Sequence, residues 1–121
     1  MNYSALTLHY FETAVGAGTL TGPAVYRGAA GSRTQGTWVQ FEVQIDSGNI
    51  RSARFLAFGC PHTIAVCAWV AERAAGHAAR GVLPESVPAL SDRFEVPAEK
   101  RGRLLIIEDA WVAALTAAVQ R

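Results

Sequence analysis

The clearest periodicity lies in the middle of the chain. From Thr37 to Ile45, Trp38, Gln40, Glu42 and Gln44 alternate with Val39, Phe41, Val43 and Ile45. A period of two with one apolar face predicts a strand in a sheet covered on one side. Asp46-Ser47-Gly48-Asn49 carries hairpin-turn chemistry. Ile50 to Phe58 is the returning strand. There Ile50, Ser52, Arg54, Leu56 and Phe58 alternate with Arg51, Ala53, Phe55 and Ala57, and neither set is cleanly apolar, so its facing stays open. Ahead of this hairpin, Leu6, Tyr10 and Phe11 stand at helical spacing and predict a short helix from Tyr3 to about Thr13. Gly16, Gly18, Gly22 and Pro23 then break the chain. Ala24 to Gly28 reads as a first edge strand, and Ala29 to Arg33 as a loop or turn.

Helices fill the second half. Pro61 to Ala75 reads as a helix, with Gly76 as its stop. Pro84 and Pro88 keep any helix between Gly81 and Arg93 short. Leu104 to Val119 is the strongest helical pattern, with Leu104, Ile107, Trp111, Leu115 and Ala118 on one stripe. The expected fold class is α+β: a small antiparallel sheet of about three strands with helices packed mainly on one face.

Composition sharpens this picture. Residues 1–121 are short enough for one domain, and no repeat or linker divides them. Half of the residues are hydrophobic and 17% are charged, so a packed core is expected and disorder is not. A net charge of +1 gives no broad electrostatic case for nucleic acid or for an anionic membrane. The longest apolar run, around Ile64 to Ala71, is too short to span a bilayer. The N-terminus lacks a basic segment followed by an apolar stretch, so no signal peptide is expected. Two cysteines do not make a secreted disulfide framework, and a reducing cytoplasm is the simplest setting.

The candidate chemistry centres on Phe58-Gly59-Cys60-Pro61. A strand ends, a cysteine follows, and an apolar helix starts at once. Pro61 suits the first helical position, where a missing N–H costs nothing. The thiol therefore stands at the positive end of a helix dipole, which favours the thiolate that binds metals and attacks sulfur. A cysteine here also serves as a small apolar residue, and the residues themselves leave both uses open. Cys67 follows seven residues later, about 10 Å along a helix. That is too far for one zinc with bonds of roughly 2.3 Å, or for a disulfide with its roughly 7 Å Cα limit. Cys67 shares a face with Ile64, Ala71 and Ala75 and reads as a core residue.

The remaining polar candidates carry less. His62 reads as a solvated helix-start residue, with a second reading as a metal ligand beside Cys60. His77 reads as surface at a helix end, and His9 as a partly buried packing residue. Glu108 and Asp109 are adjacent, face different ways on a helix, and read as its solvated flank. No Gly-rich phosphate loop, Ser/His/Asp set or carboxylate pair is present, so no enzyme activity is expected.

Ala53-Arg54-Phe55, with Gly59-Cys60 and Ile64-Ala65, resembles the A-R-F-x-x-x-G-C-G-x-A-I-A segment of the iron–sulfur cluster assembly scaffold family, the IscU/NifU N-terminal domain. The resemblance extends along the chain. His9-Tyr10-Phe11-Glu12 with Val15-Gly16 resembles the family's opening motif, and Gly22-Pro23-Ala24 lies near its G-x-P-A. Val43-Gln44-Ile45-Asp46 with Gly48 and Ile50 resembles its second hairpin. Val96, Pro97, Ala98, Glu99 and Lys100 resemble its L-P-P-V-K chaperone-recognition loop. Glu108-Asp109-Ala110 with Ala113-Ala114 resembles its final helix. The resemblance implies a metal or cluster site that includes Cys60, partners such as a cysteine desulfurase and a chaperone bound through the 96–100 loop, and a homodimer as one assembly.

The departures limit the transfer. The family holds its cluster with three cysteines and an aspartate, and only the middle cysteine is present, as Cys60. The first falls near Thr34-Gln35-Gly36, and the third at Gly102-Arg103-Leu104. An iron–sulfur cluster, iron or zinc would be under-liganded here, and a chain with no metal is the other outcome. If the fold places Arg103 where the third cysteine stands, its guanidinium disfavours a metal cation and favours a Cys60 thiolate. Three functions follow from the resemblance: a divergent scaffold handling iron, sulfur or a cluster through Cys60, a metal-free protein-interaction module of cluster biogenesis, and a Cys60 sulfur carrier.

Overall fold

A computed structural model describes residues 2–119. In chain order the elements are α1 (Ala5–Thr13), β1 (Val25–Ser32), β2 (Thr37–Asp46), β3 (Asn49–Phe58), α2 (Pro61–Ala74), α3 (Val87–Arg93), a 3₁₀ turn (Ala98–Lys100) and α4 (Arg101–Val119). The three strands form one antiparallel sheet in the order β1-β2-β3. α2 packs on β3, α4 crosses β1 and β2, and α1 packs on α2. The expected α+β architecture is the observed one.

The inner face of the sheet follows the predicted alternation. Val39, Phe41 and Val43 of β2 are fully buried, joined by Ala53 and Phe55 of β3. Phe41 meets Trp111 of α4 edge to face, centroids 5.1 Å apart. The ambiguous facing of β3 has a local cause. Gln44 pairs with Ser52 but Ile45 pairs with Ile50, so Arg51 is an extra residue. This bulge shifts the parity and returns Ile50 to the core, at 2% exposure.

Two expectations need correction here. The segment Ala29–Arg33 is not a loop as far as Ser32: β1 runs through it, with Ala29 opposite Gln40 and Ser32 opposite Thr37. Its small residues reflect a close crossing rather than a turn. A Cβ on Gly28 would lie 2.2 Å from the backbone nitrogen of Ala114, so β1 and α4 meet backbone to backbone. His9 is exposed rather than partly buried, its ring edge-on to Tyr10. Tyr10 supplies the packing instead, and its hydroxyl donates to Glu72 of α2 at 2.5 Å.

The outer face is partly covered by the segment between α1 and β1. Gly16 and Gly18 pair with the backbone of Phe55 beside β3. The chain then crosses the sheet, where the Leu20 N–H donates to Glu42 at 2.7 Å. Glu42 is buried at an outward position of β2 and also meets Arg27 at 3.3 Å. These partners offset the desolvation of its carboxylate. No helix among the described residues is long and apolar enough to cross a membrane.

Candidate functional site

Sheet register brings the chemistry to one end of the molecule. Ser32 pairs with Thr37 and Trp38 pairs with Phe58, so the 33–36 turn and the exit of β3 share that end. Cys60 follows as the N-cap of α2, with extended backbone angles and Pro61 as the first helical residue. Arg103, in the first turn of α4, reaches across 43 residues of sequence. Its Nη1 donates to Cys60 Sγ at 3.0 Å. The Thr63 hydroxyl lies 3.7 Å from the same sulfur.

The environment of Cys60 is divided. Partial burial is the largest single influence and opposes ionisation. The Thr63 backbone amide, the Thr63 hydroxyl, the Arg103 guanidinium and the His62 amide favour the anion. Together they outweigh burial and hold the thiol below its ordinary range. Cys67 is the opposite case. It is fully buried in α2, and burial pushes its thiol well up.

His62 departs from its expected place. It is 2% exposed, not solvated, because Tyr3 covers it in an edge-on contact with centroids 4.7 Å apart. The Lys100 Nζ lies 5.5 Å above the same Tyr3 ring. Burial, then the charges of Lys100 and Arg103, hold the imidazole below its ordinary range and so neutral. Its Nδ1 is buried with no hydrogen-bond partner among the described residues.

The other named residues are placed as follows. In the 96–100 loop, Val96 and Lys100 are buried and Pro97 is half-buried, leaving Ala98 and Glu99 exposed. His77 is exposed, and its carbonyl accepts from the Ile50 N–H at 2.8 Å. Glu108 is half-buried and Asp109 exposed on α4. Thr63 and Tyr3 belong to this site without having been singled out in the sequence. Thr63 carried a usable signal, because it stands three residues after an N-cap, where capping contacts form. Tyr3 carried none, since its contact crosses the fold.

The donor set does not fit an iron–sulfur cluster or a four-coordinate zinc ion. No three His, Cys, Asp or Glu side chains converge among the described residues. The turn at Thr34-Gln35-Gly36 is exposed and offers no thiol or carboxylate. The one thiol at this end is already engaged by a guanidinium, which carries five donors and no lone pair for a metal.

A search of curated protein sequences gives no match. Among solved structures, a candidate iron–sulfur cluster assembly scaffold protein for the SUF system from Fervidobacterium islandicum AW-1 superposes with a TM-score of 0.74. It is 15% identical, over 93% of this chain and 96% of that one. A nitrogen-fixing NifU-like protein (N-terminal) from Brucella abortus gives 0.76 at 15% identity, over 98% of this chain and 94% of that one. At such identities the likeness is one of fold. The model of the NifU-like N terminal domain matches residues 2–119, and by that match across its described length this chain belongs to the NifU-like N-terminal domain family.

Proposed function

We propose that this protein serves iron–sulfur cluster assembly by carrying sulfur on Cys60 rather than by seating a cluster. The supporting observation is the 3.0 Å contact between Arg103 and the Cys60 sulfur at the N-terminus of α2. Family membership and the scaffold proteins of the same fold supply the biological setting. A guanidinium at this place opposes a metal cation and stabilises an anionic sulfur.

The loading step balances without an added oxidant. A donor persulfide D–S–SH is attacked at its outer sulfur by the Cys60 thiolate. The S–S bond of the donor breaks, and the products are Cys60–S–SH and the donor thiolate D–S⁻. Arg103, Thr63 and the helix amides keep Cys60 in the attacking form. A cysteine desulfurase is the donor this chemistry calls for, and the exposed Ala98 and Glu99 are the part of the 96–100 loop that a chaperone would touch. The protein carries and passes sulfur and is not itself an enzyme. A reducing compartment keeps Cys60 free to load.

Intact-mass analysis after incubation with a cysteine desulfurase and cysteine tests this reading. One added sulfur atom on wild type, lost in Cys60→Ser and kept in Cys67→Ser, is the expected result. A chain that gains no sulfur while a competent control acceptor does is not a sulfur carrier.

A further inference from the structure

We propose that the end of the molecule opposite Cys60 holds a binding site for a small carboxylic acid whose apolar body is about the size of one ring; this site is independent of sulfur carriage. The sheet runs from the Trp38–Phe58 pair, beside Cys60, to the Asp46–Asn49 pair at the far hairpin. There α2 stops at Ala74, and a cavity of about 240 Å³ opens beside its C-terminus. An apolar cavity of roughly 150 Å³ takes up benzene. The larger one here has room for a ring and a short acid arm.

Local bonding fixes the walls. Gly76 turns the chain with a φ of +91°, a conformation that favours glycine. The chain then runs back along the hairpin. The Gly76 N–H donates to the Ile50 carbonyl at 2.8 Å, and the Ala79 N–H donates to the Gly48 carbonyl at 2.9 Å. On the other side the Trp111 indole N–H donates to the Val82 carbonyl at 3.1 Å and ties the connection to α4. Paired backbone therefore frames the gap on both sides.

The lining selects the ligand. Ile50, Ala74, Leu83 and Trp111 form the floor, each at most 6% exposed. That floor offers no unpaired side-chain donor or acceptor. The indole N–H is used, and the buried side-chain atoms without a partner among the described residues belong to His62 and Ser91. A sugar would lose its water there without replacement, whereas an apolar body is stabilised by burial. Polar recognition is left to the rim, where His77 and Arg80 are exposed. No carboxylate lines the cavity, and Arg80 makes no ion pair among the described residues. Its guanidinium presents a fork of donors that matches a carboxylate, and the imidazole adds an N–H donor. A phosphate fits less well. Ala74 on the floor is the negative end of the α2 dipole, which opposes a doubly charged group more than a single carboxylate held at the rim.

The test titrates the full chain with phenylpropionate and follows nitrogen–proton NMR spectra. Saturable one-to-one shifts of the Trp111 indole and the Ala78 amide are expected, with a dissociation constant of about 1 mM or tighter. The neutral phenylpropanamide binds about threefold more weakly, and Arg80→Gln weakens the acid by about the same factor, the size of an exposed charge pair. Ala78→Phe, at the exposed rim, fills the cavity and abolishes the shifts. Arg80→Gln changes only an exposed side chain, so the charge comparison holds even where Ala78→Phe disturbs the fold. Cys60→Ser binds like wild type. An absence of saturable shifts, an amide that binds as tightly as the acid, an unaffected Arg80→Gln, or a folded Ala78→Phe chain that still binds overturns the inference and leaves sulfur carriage standing.

Discussion

Replacing Arg103 with glutamine removes the charge from the Cys60 sulfur while keeping a side chain of similar reach. The magnitude follows from the contact. The hydrogen bond is charge-assisted, 3.0 Å long and half-exposed, so the lower end of the usual range applies, about 1.5 kcal/mol. That is about a tenfold change in the ionisation equilibrium of the thiol. At pH 7 the thiolate population falls by up to about tenfold, but a more basic thiolate is intrinsically more nucleophilic. With a Brønsted slope of about 0.5, alkylation at pH 7 slows by about threefold and its midpoint moves up in pH. Iodoacetamide labelling from pH 5 to 10, read residue by residue by mass spectrometry, measures both. Cys67 serves as the internal reference, because its burial keeps it unreactive in the folded chain. Arg103→Lys should fall between wild type and Arg103→Gln. An unchanged midpoint in Arg103→Gln would refute the idea that this arginine helps Thr63 and the His62 amide hold the Cys60 thiol below its ordinary range.

Two further outcomes test the frame of the site. Gly28→Ala pushes a Cβ to 2.2 Å from the backbone of α4, and the resulting separation of β1 from α4 should cost about 3 kcal/mol in chemical denaturation; a loss below about 1 kcal/mol means the two elements do not meet as described. His62 is held neutral by burial, so its folded pKa lies below its unfolded value of about 6.5. The unfolded chain binds the extra proton in that window, so stability falls as pH drops below about 6.5 until the folded pKa is reached. His62→Phe should flatten this acid limb in urea titrations at pH 7 and pH 5, and an unchanged limb would assign it to other groups.

Much of the frame was legible because local chemistry and tertiary need agreed. The alternation of β2, the Asp46–Asn49 turn and the Gly59-Cys60-Pro61 punctuation each fix an element from neighbouring residues. The failures have a common cause in distant contacts. Ala29–Ser32 lacks bulky residues because α4 lies on them, and sequence alone reads such residues as a loop. The facing of β3 was obscured by one bulge residue, Arg51. His62 looks like a helix-start surface residue until Tyr3, 59 positions earlier, is laid over it. The Cys60 turn was readable from its own residues, whereas the Arg103 contact spans 43 positions and no local pattern encodes it.

The central claim is that this end of the molecule handles anionic sulfur and does not seat a cluster. Anaerobic reconstitution with ferrous iron and sulfide, followed by metal analysis, visible absorbance and alkylation of Cys60, tests it most directly. The account predicts no stoichiometric, chelator-resistant iron or zinc on the isolated chain, and a Cys60 that stays open to alkylation. A retained cluster or metal ion in one-to-one amount, with Cys60 protected from alkylation and the signal lost in Cys60→Ser, would contradict it.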